Sequence, residues 1–539
     1  MIDGMTNRRA AGLWTISSIA GFAVVAGSIA LASQSCGSSD SSTFQQPADD
    51  SGAGDGDSAL TCTGANVACG ATCVDITSDP KNCGVCGTAC GTGGVCCSST
   101  CLLDTATCAF SVRDLKPRQA NQSGGDYVTI SGDGFVAGMK VFIGDGAAPT
   151  LVKDAHTALI QTPPGPVGPK DIRIVNGASK STLPGAFAYV QAGLQLPWQE
   201  KPMAVVRGED PGLGVLQDGR VLIVGGTTVP DSAANATDSA EIYTRTTDSV
   251  KSSAGTMAVK RWHSSVVTLL SGKALIVGAA SASKIAELYD PTTDKFTQTA
   301  MPMNTARDYT RAVLMTDGRV MVASEGAMTA EIYDPATDAF TQLPTTHMHT
   351  FGFVVRLRDG RVMLGGGDMG QTSVEIYDPS VGQFADGPPL TQGRSMLTAH
   401  TLPDGRVAVV GGASITAGGV DVPLNSIELY DPATNKWTTA PYALGKGRTW
   451  HASALVRDGT IIVMGGYTID KSCTPDDTVD QIDPIKGTVK AFGILPRPNC
   501  EWTAVTLQDG SVLGVGGGAC GASTANPSLD FLPGVPISK

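Results

Sequence analysis

A repeat that runs from Leu194 to the end of the chain is the feature that most constrains the fold. Each copy has an apolar strand, a two-residue turn, a second apolar strand that often ends in glycines, and a Glu-Ile/Leu-Tyr-Asp-Pro strand before an aromatic strand. The turn pairs are Asp218-Gly219, Ser271-Gly272, Asp317-Gly318, Asp359-Gly360, Asp404-Gly405, Asp458-Gly459 and Asp509-Gly510. A period of about 45–50 residues with four strands per copy is typical of a β-propeller, and seven copies predict seven blades.

The third strand and the glycines are the most regular parts of this repeat. The third strand recurs as AELYDP, AEIYDP, VEIYDP and IELYDP. Glycine pairs follow the second strand at Gly225-Gly226, Gly411-Gly412, Gly465-Gly466 and Gly516-Gly517. Over this whole region the chain resembles the kelch and galactose-oxidase-type propellers.

The repeat also carries a glutamate at one position of the third strand, at Glu241, Glu287, Glu331, Glu375 and Glu428. Because a carboxylate buried between blades needs a partner, we expect pairing with arginines of neighbouring blades, such as Arg307 or Arg394. The last copy ends after a third strand at Leu529–Phe531. We therefore expect the segment Leu196–Met203 to supply its missing strand and close the ring.

Residues 109–191 have a different pattern, with short alternating strands separated by glycine-rich turns. Such strands predict a β-sandwich. The string GGDYVTISGDGF…VFIGD…TPPG…DIRIVN…AFAYV resembles the IPT/TIG family, which implies an immunoglobulin-like fold. Some members of that family bind DNA, but this copy lacks a basic surface, so we expect a spacer.

Ten of the 14 cysteines lie between Cys62 and Cys108, where apolar residues are too few to form a core. Cross-links must then order the segment, and ten cysteines allow five disulfides. Zinc is the alternative, because Cys83-Gly-Val-Cys86 has the spacing of a zinc knuckle. An oxidising compartment favours disulfides. The stretch CVDITSDPKNCGVCGTAC resembles small cysteine-rich modules of myxobacterial surface proteins.

The N-terminus has the layout of an export signal, because Arg8 and Arg9 precede a mostly apolar run, Ala10–Ala32. An uncleaved membrane-spanning helix is the alternative. Cleavage after Ala32 would give a soluble secreted protein, whereas lipidation of Cys36 would anchor the chain to a membrane. The Ser/Gly/Asp-rich stretch after Cys36 suits a tether. We expect export, with the protein held at the outer membrane or cell surface, or secreted.

Together these features predict an all-β protein, with a seven-bladed β-propeller preceded by an immunoglobulin-like β-sandwich and a small disulfide-rich module. The expected segments are an export signal (1–35), a flexible linker (36–61), the cysteine-rich module (62–108), the IPT/TIG domain (109–191) and the kelch propeller (192–539). The net charge is −12, without a cluster of basic residues in the folded region, so nucleic acid is excluded as a partner.

The propeller resemblance raises the hypothesis of a copper-radical oxidase of the galactose or glyoxal oxidase kind. Those enzymes have a Tyr-His dipeptide, a second Tyr cross-linked to a Cys, and another His. The matching dipeptides here are Trp262-His263 and Trp450-His451, and tryptophan cannot ligate copper. The early blades also lack a cysteine, and we expect the His347 and His349 pair to be polar surface. We therefore predict a protein that is not an enzyme, with no metal and no cofactor, and keep the oxidase as the alternative.

A binding role is favoured by the uneven lengths of the loops. The loops between second and third strands are long in four blades that would be neighbours, at Thr227–Asp238, Ala413–Asn425, Tyr467–Thr478 and Ala519–Pro527. These four loops predict a wall along one face of the propeller. A glycan or protein ligand would bind there, in contact with the side chains beside the wall. The predicted ligand-binding residues are Arg448, Trp450, His451 and Trp502. Cys473, Cys500 and Cys520 are expected on the same face, and a disulfide between Cys473 and Cys500 is preferred to one with Cys520. Such a bond would pin a loop of the wall, or would only cross-link the ring near its closure.

Overall fold

The computed structural model describes fourteen stretches of the chain, all within one compact body, Leu60–Lys539. They are residues 62, 67–76, 78–91, 94–97, 99–102, 108–190, 198–229, 233–280, 283–323, 328–367, 370–416, 421–468, 475–518 and 528–534. The predicted export signal, Cys36 and the linker lie outside the described residues. Within the described stretches, no helix has the length and hydropathy that a membrane span requires.

Disulfides hold the cysteine-rich module together. Its four short strands form two hairpins: β1 (Val67–Cys69) with β2 (Thr72–Val74), and β3 (Val95–Cys97) with β4 (Thr100–Leu102). The pairs are Cys62–Cys73, Cys69–Cys86, Cys83–Cys96, Cys90–Cys101 and Cys97–Cys108. The prediction of five disulfides is confirmed, and the zinc alternative is wrong because its thiols are used in these bonds.

The next segment is a sandwich of two sheets, as predicted. One sheet has the order β10-β11-β7-β5 and the other β6-β13-β12-β8-β9. The strands are β5 (Ser111–Lys116), β6 (Gln119–Asn121), β7 (Tyr127–Asp133), β8 (Lys140–Ile143), β9 (Gly146–Ala148), β10 (Thr150–Val152), β11 (Thr157–Gln161), β12 (Gly168–Asn176) and β13 (Ser179–Val190). Alternate residues of these strands, such as Val128 and Ile130 or Ile172 and Ile174, fill the core between the sheets.

The repeat region contains five four-stranded sheets and one seven-stranded sheet. Strand β14 is Gln199–Pro202, and unit one follows as β15 (Gly212–Val215), β16 (Val221–Val224), β17 (Ala240–Thr244) and β18 (Ser249–Ser252), with a 3-10 turn at Ala233–Asn235. Unit two is β19 (Ser265–Thr268), β20 (Ala274–Val277), β21 (Glu287–Asp290) and β22 (Lys295–Gln298). Unit three is β23 (Arg311–Leu314), β24 (Val320–Ala323), β25 (Thr329–Asp334) and β26 (Ala339–Pro344). Unit four is β27 (Phe353–Arg356), β28 (Val362–Gly365), β29 (Val374–Asp378) and β30 (Gln383–Asp386).

Unit five is β31 (Thr398–Thr401), β32 (Val407–Val410), β35 (Ser426–Asp431) and β36 (Lys436–Ala443), with an inserted hairpin of β33 (Ala413–Ile415) and β34 (Asp421–Pro423). The seven-stranded sheet has β37 (Ala452–Leu455), β38 (Ile461–Met464), β39 (Asp476–Asp483), β40 (Thr488–Thr506), β41 (Val512–Gly518) and β42 (Ser528–Leu532), followed by β14. The long β40 pairs with β39 at its start and with β41 at its end. We therefore divide this sheet into units six and seven.

The units form a closed circle. The first strand of each unit contacts the first strand of the next, and the end of β40 contacts β15. As predicted, the strand that completes the last unit comes from the N-terminal side, because β14 pairs antiparallel with β42. The first strands therefore surround a central channel.

Units one to six are each stabilised by a buried polar pair. The pairs are Arg207–Glu241, Arg261–Glu287, Arg307–Glu331, His349–Glu375, Arg394–Glu428 and Arg448–Asp480, with N to O distances of 2.6–3.0 Å. We call these residues the ion-pair layer. The predicted pairing of the glutamates is confirmed, but each partner lies in the connection that leads into the same unit rather than in a neighbouring one.

The sandwich packs against the turn side of the channel. Asp126 Oδ1 lies 2.9 Å from Arg457 Nη2, and Arg457 directly precedes the turn of unit six. The backbone amides of Ala147 and Thr150 donate to the carbonyls of Arg358 and Thr316, each next to another unit's turn. The expectation of a spacer is thus corrected, because the sandwich is docked by an ion pair and backbone hydrogen bonds.

Candidate binding site at the channel mouth

The connections between units bring one residue from each unit to the mouth of the channel, opposite the sandwich. We call these seven residues the mouth ring. In units one to six this residue lies two positions before the first strand. All seven residues have a left-handed backbone, with φ between 39° and 58°. The ring consists of Asp210, His263, Tyr309, Phe351, Met396, Trp450 and Glu501. Bulky side chains rarely adopt this conformation, so the surrounding structure imposes it.

Backbone hydrogen bonds link successive members of the mouth ring. The amide of Met396 donates to Phe351 at 2.9 Å, Trp450 to Met396 at 3.3 Å, and Glu501 to Trp450 at 2.9 Å. Asp210 then donates to Glu501 at 2.8 Å, which joins unit one to unit seven. These four bonds hold the backbone of five ring members, independently of the side chains that they carry.

Aromatic side chains of the ring meet across the mouth. Tyr309 and His263 are stacked with ring centroids 3.6 Å apart and an interplanar angle of 18°. Tyr309 also lies edge-on to Phe351 at 4.5 Å, and Phe351 lies edge-on to Trp450 at 5.3 Å. Trp450 and Tyr309, from units six and three, are 6.0 Å apart. With Trp262, 4.1 Å from His263, these side chains form an aromatic platform over the channel.

Carboxylates flank the buried His263 of this platform. His263 Nε2 is 3.9 Å from Asp210 Oδ2, and Nδ1 is 3.6 Å from Asp308 Oδ1. Burial lowers the pKa of His263, although both carboxylates act in the opposite direction. The imidazole is therefore neutral near pH 7.

A cavity of about 290 Å³ lies beneath the platform. It is lined by Asp210, Ser264, Trp450 and His451, among others. Within the described residues, Asp210 Oδ2, Ser264 Oγ and His451 Nδ1 are buried without a hydrogen-bond partner. His451 Nε2 is 3.0 Å from Thr398 Oγ1, and burial lowers the pKa of His451 to about 3. The cavity thus offers one acceptor and two further polar groups to a ligand.

The structure places the four predicted binding residues in different environments. Trp450 is half-buried in the mouth ring, and His451 lies below it in the cavity. Arg448 does not line the face, because it is the unit-six member of the ion-pair layer and is 1% exposed. Trp502 is 3% exposed and packs in the core against Gly514, with only part of its surface at the cavity.

The described residues include only some of those in the remaining sequence predictions about this face. Cys500 is buried, with Sγ 3.0 Å from the carbonyl oxygen of Gly518, but Cys473 and Cys520 lie outside the described residues. Parts of all four long loops lie outside them as well. The pairing of Cys473 with Cys500 and the loop wall therefore stay predictions. His349 does not form polar surface with His347, because it is buried against Glu375 in the ion-pair layer.

Sequence reasoning missed His263, Tyr309 and Phe351 as a set. A signal was present, because each lies two residues after the Arg or His of its ion pair, at Arg261, Arg307 and His349. The two Trp-His dipeptides differ in this register. His263 is the ring residue in unit two, whereas Trp450 is the ring residue in unit six.

The mouth does not assemble a metal site from the described residues. Groups of three His, Cys, Asp or Glu close enough to share an ion occur only as Cys83, Cys90 and Cys96, and as Cys108, Asp133 and His156. Both sets include disulfide-bonded cysteines. The donors near His263 are two carboxylates that lie on opposite sides of the ring, so the described residues do not fit the donor set of a copper-radical oxidase.

Two family models match parts of the chain. The IPT/TIG domain model matches residues 111–189, and the Kelch motif model matches residues 405–442. No curated protein sequence matches the chain. A solved structure described as a novel fungal alcohol oxidase of the AA5 family, in complex with copper, is similar with a TM-score of 0.52 and 18% identity. The match covers 64% of this chain and 76% of that one.

This likeness corrects one prediction. A structure described as an alcohol oxidase in complex with copper has a similar fold, which contradicts the prediction that the chain is not an enzyme. At 18% identity the likeness shows the fold alone, so it assigns no substrate or catalytic residue to this chain.

Proposed function

We propose that the channel mouth binds a neutral sugar, on a protein exported to the cell surface. The observation that carries this proposal is the mouth ring, where a strained backbone conformation presents aromatic side chains over a cavity. Strained residues cluster at ligand sites, and here the strained residues also contribute to the aromatic platform over the cavity.

The chemistry of the mouth suits a sugar. The apolar C–H face of a sugar ring stacks on aromatic side chains such as Trp450 and Phe351. Its hydroxyls need acceptors, and Asp210 Oδ2 and Ser264 Oγ are unpaired among the described residues. The cavity of about 290 Å³ is at the low end of the range for small-molecule pockets, which favours a single sugar residue. Asp210 disfavours an anionic ligand and Arg311, which lines the same cavity, disfavours a cationic one, so these charges favour a neutral ligand.

Export is supported by the five disulfides, since such bonds persist in oxidising compartments. Attachment through Cys36 remains a proposal. Replacing Cys36 with Ser is expected to release the protein from the membrane fraction, and an unchanged distribution would contradict the lipid anchor.

The sugar proposal is tested by calorimetry of the full chain with a panel of neutral monosaccharides and their oligomers. We expect Trp450→Ala and Asp210→Asn each to weaken binding roughly tenfold or more. Phe142→Ala is the matched control, because Phe142 is a half-buried aromatic of the sandwich, far from the mouth ring in the fold. A sugar that binds Trp450→Ala as tightly as the native chain would contradict the site. Binding of a protein and no sugar would contradict the ligand class.

Oxidation of an alcohol is a second candidate, favoured by the fold shared with a copper-complexed alcohol oxidase. The expected reaction would convert an alcohol and O₂ to an aldehyde and hydrogen peroxide. The chain is loaded with Cu²⁺, and peroxide is measured with the panel of sugars and simple alcohols. The candidate is supported if the native chain produces peroxide faster than free copper does and His263→Ala removes this excess. Peroxide production by the native chain at the rate of free copper would exclude the candidate.

A further inference from the structure

The end of the channel nearest the sandwich contains a second cavity, of about 490 Å³. The first strands of the units form its walls, and the sandwich contributes residues 123–126 and two residues after β11, Thr162 and Pro164. We call it the inner chamber. It adjoins the mouth cavity, because His400 and Ser453 line both.

Arg356, the last residue of β27, lines this chamber. Its Nη1 donates to the carbonyl of Leu314 at 2.6 Å. No described atom accepts from its Nε or Nη2, and no described carboxylate pairs with it. Burial lowers the pKa of Arg356 to about 10, so it is still a cation at neutral pH. Arg356 is half-buried, and a cation that is partly removed from water without a counter-ion is costly, which distinguishes it from the fully buried and paired arginines of the ion-pair layer.

The other ionisable groups of the chamber do not neutralise Arg356. Asp126 is already engaged, because it accepts from Arg457 at 2.9 Å and from the amide of Asn121 at 2.9 Å. His400 is 2.6 Å from Ser453 Oγ, and burial lowers the pKa of His400 to about 4. It is therefore neutral at pH 7. Arg457 and Asp126 cancel, so the chamber retains one positive charge.

We propose that the inner chamber binds a small carboxylate, with Arg356 as its anchor. The guanidinium holds its nitrogens in a planar fork, and a carboxylate accepts from two of them at once. Nε and Nη2 form one edge of that fork, the edge that Leu314 leaves open. A single negative charge matches the single uncompensated cation, whereas a phosphate dianion would leave excess charge buried. The proposal is independent of sugar binding at the mouth.

The test is calorimetry of the full chain with sodium acetate as the probe, followed by inorganic phosphate at the same ionic strength. Acetate is expected to bind the native chain, and Arg356→Gln is expected to weaken it roughly tenfold or more, since charged hydrogen bonds are lost. Arg173→Gln is the matched control. It removes the same charge from an exposed residue of the sandwich that does not line the chamber, and acetate affinity should not change.

Arg356→Lys keeps the charge without the fork and guards against misfolding of the Gln variant. Several-fold weaker binding of acetate to the Lys variant would support bidentate recognition, and equal binding would contradict it. The proposal fails if the native chain binds no acetate, if Arg356→Gln binds it as well as the native chain, or if phosphate binds more tightly than acetate.

Discussion

The ion-pair layer and the mouth ring come from the same connections between units, two or three residues apart, yet they repeat different properties. The ion-pair layer repeats nearly the same chemistry, with arginine in five of six units, buried against a carboxylate. The mouth ring repeats only a backbone conformation and carries seven different side chains. Since the backbone of the ring is fixed by hydrogen bonds, its side chains are free to differ. Repeated side chains therefore mark the fold, and varied side chains on a repeated backbone mark a site.

The turns at the opposite end of the units support this distinction. In units one to six, the turn between the third and fourth strands has one left-handed residue, and it is a residue that tolerates the conformation: Asp248, Asp294, Asp338, Gly382, Asn435 and Gly487. In four of these turns the side chain accepts from a tyrosine hydroxyl at 2.7–2.9 Å. The turns thus use residues suited to the backbone, whereas the mouth ring does not.

The largest expected effect comes from breaking the ion-pair layer. Arg307→Met leaves Glu331 buried without its partner, and we expect a loss of about 3–5 kcal/mol in the free energy of unfolding. Urea unfolding followed by circular dichroism measures it. The control is Arg319→Met, which removes a half-exposed pair with Asp317 and should cost less than about 1 kcal/mol. Equal losses in the free energy of unfolding would show that the ion-pair layer contributes no more to stability than an exposed ion pair.

Unit seven tests the role of the ion-pair layer further, because it has a buried acidic residue in its third strand and no arginine at the position that pairs in other units. Asn499 replaces the arginine, and Asp530 is 1% exposed with neither carboxylate oxygen hydrogen-bonded to a described residue. Burial raises the pKa of Asp530 to about 7, although Arg497, 3.8 Å away, acts in the opposite direction. A raised acid pKa means that the folded state holds the proton more tightly. Its contribution to stability is present at low pH and is lost as the pH rises through about 7.

Asp530→Asn should therefore be more stable than the native chain at pH 8, by up to about 4 kcal/mol, and nearly equal to it at pH 4. Urea unfolding of both proteins at several pH values measures the difference. The buried His400 and His451 have lowered pKa values and change stability in the opposite sense, but they are common to both proteins. A difference that does not vary with pH would show that Asp530 does not titrate in this range.

Most of the fold could be predicted from the sequence because its signals are local and repeated. Turn pairs such as Asp317-Gly318 locate the hairpins, and the recurrent glutamates need buried partners. Arg448 was misinterpreted because its partner is Asp480, in a strand that departs from the Glu-Ile/Leu-Tyr-Asp-Pro motif. Arg448 occupies the same position in its copy of the repeat as Arg394 does in the preceding copy, and this correspondence would have indicated that Arg448 belongs to the ion-pair layer.

The candidate site was harder to predict because its defining property is not encoded locally. Phe351 and Met396 have no preference for a left-handed backbone, and only contacts with neighbouring units impose it. The contact between Tyr309 and Trp450 joins residues of units three and six, which depends on closure of the ring. The docking of the sandwich through Asp126 and Arg457 is likewise a contact between distant segments.

The most direct test compares two substitutions in one connection, Arg307→Met and Tyr309→Ala, for both the free energy of unfolding and the affinity for a sugar identified by screening. Because Tyr309 is half-buried, Tyr309→Ala should cost clearly less than Arg307→Met, about 1.5 kcal/mol, the upper value for one aromatic pair, while sugar affinity falls roughly tenfold or more. Arg307→Met should reverse this pattern, with a large loss of stability and near-native affinity under conditions where it is folded. If Tyr309→Ala instead unfolds like Arg307→Met, or binds the sugar like the native chain, the mouth ring is part of the scaffold and not a binding site.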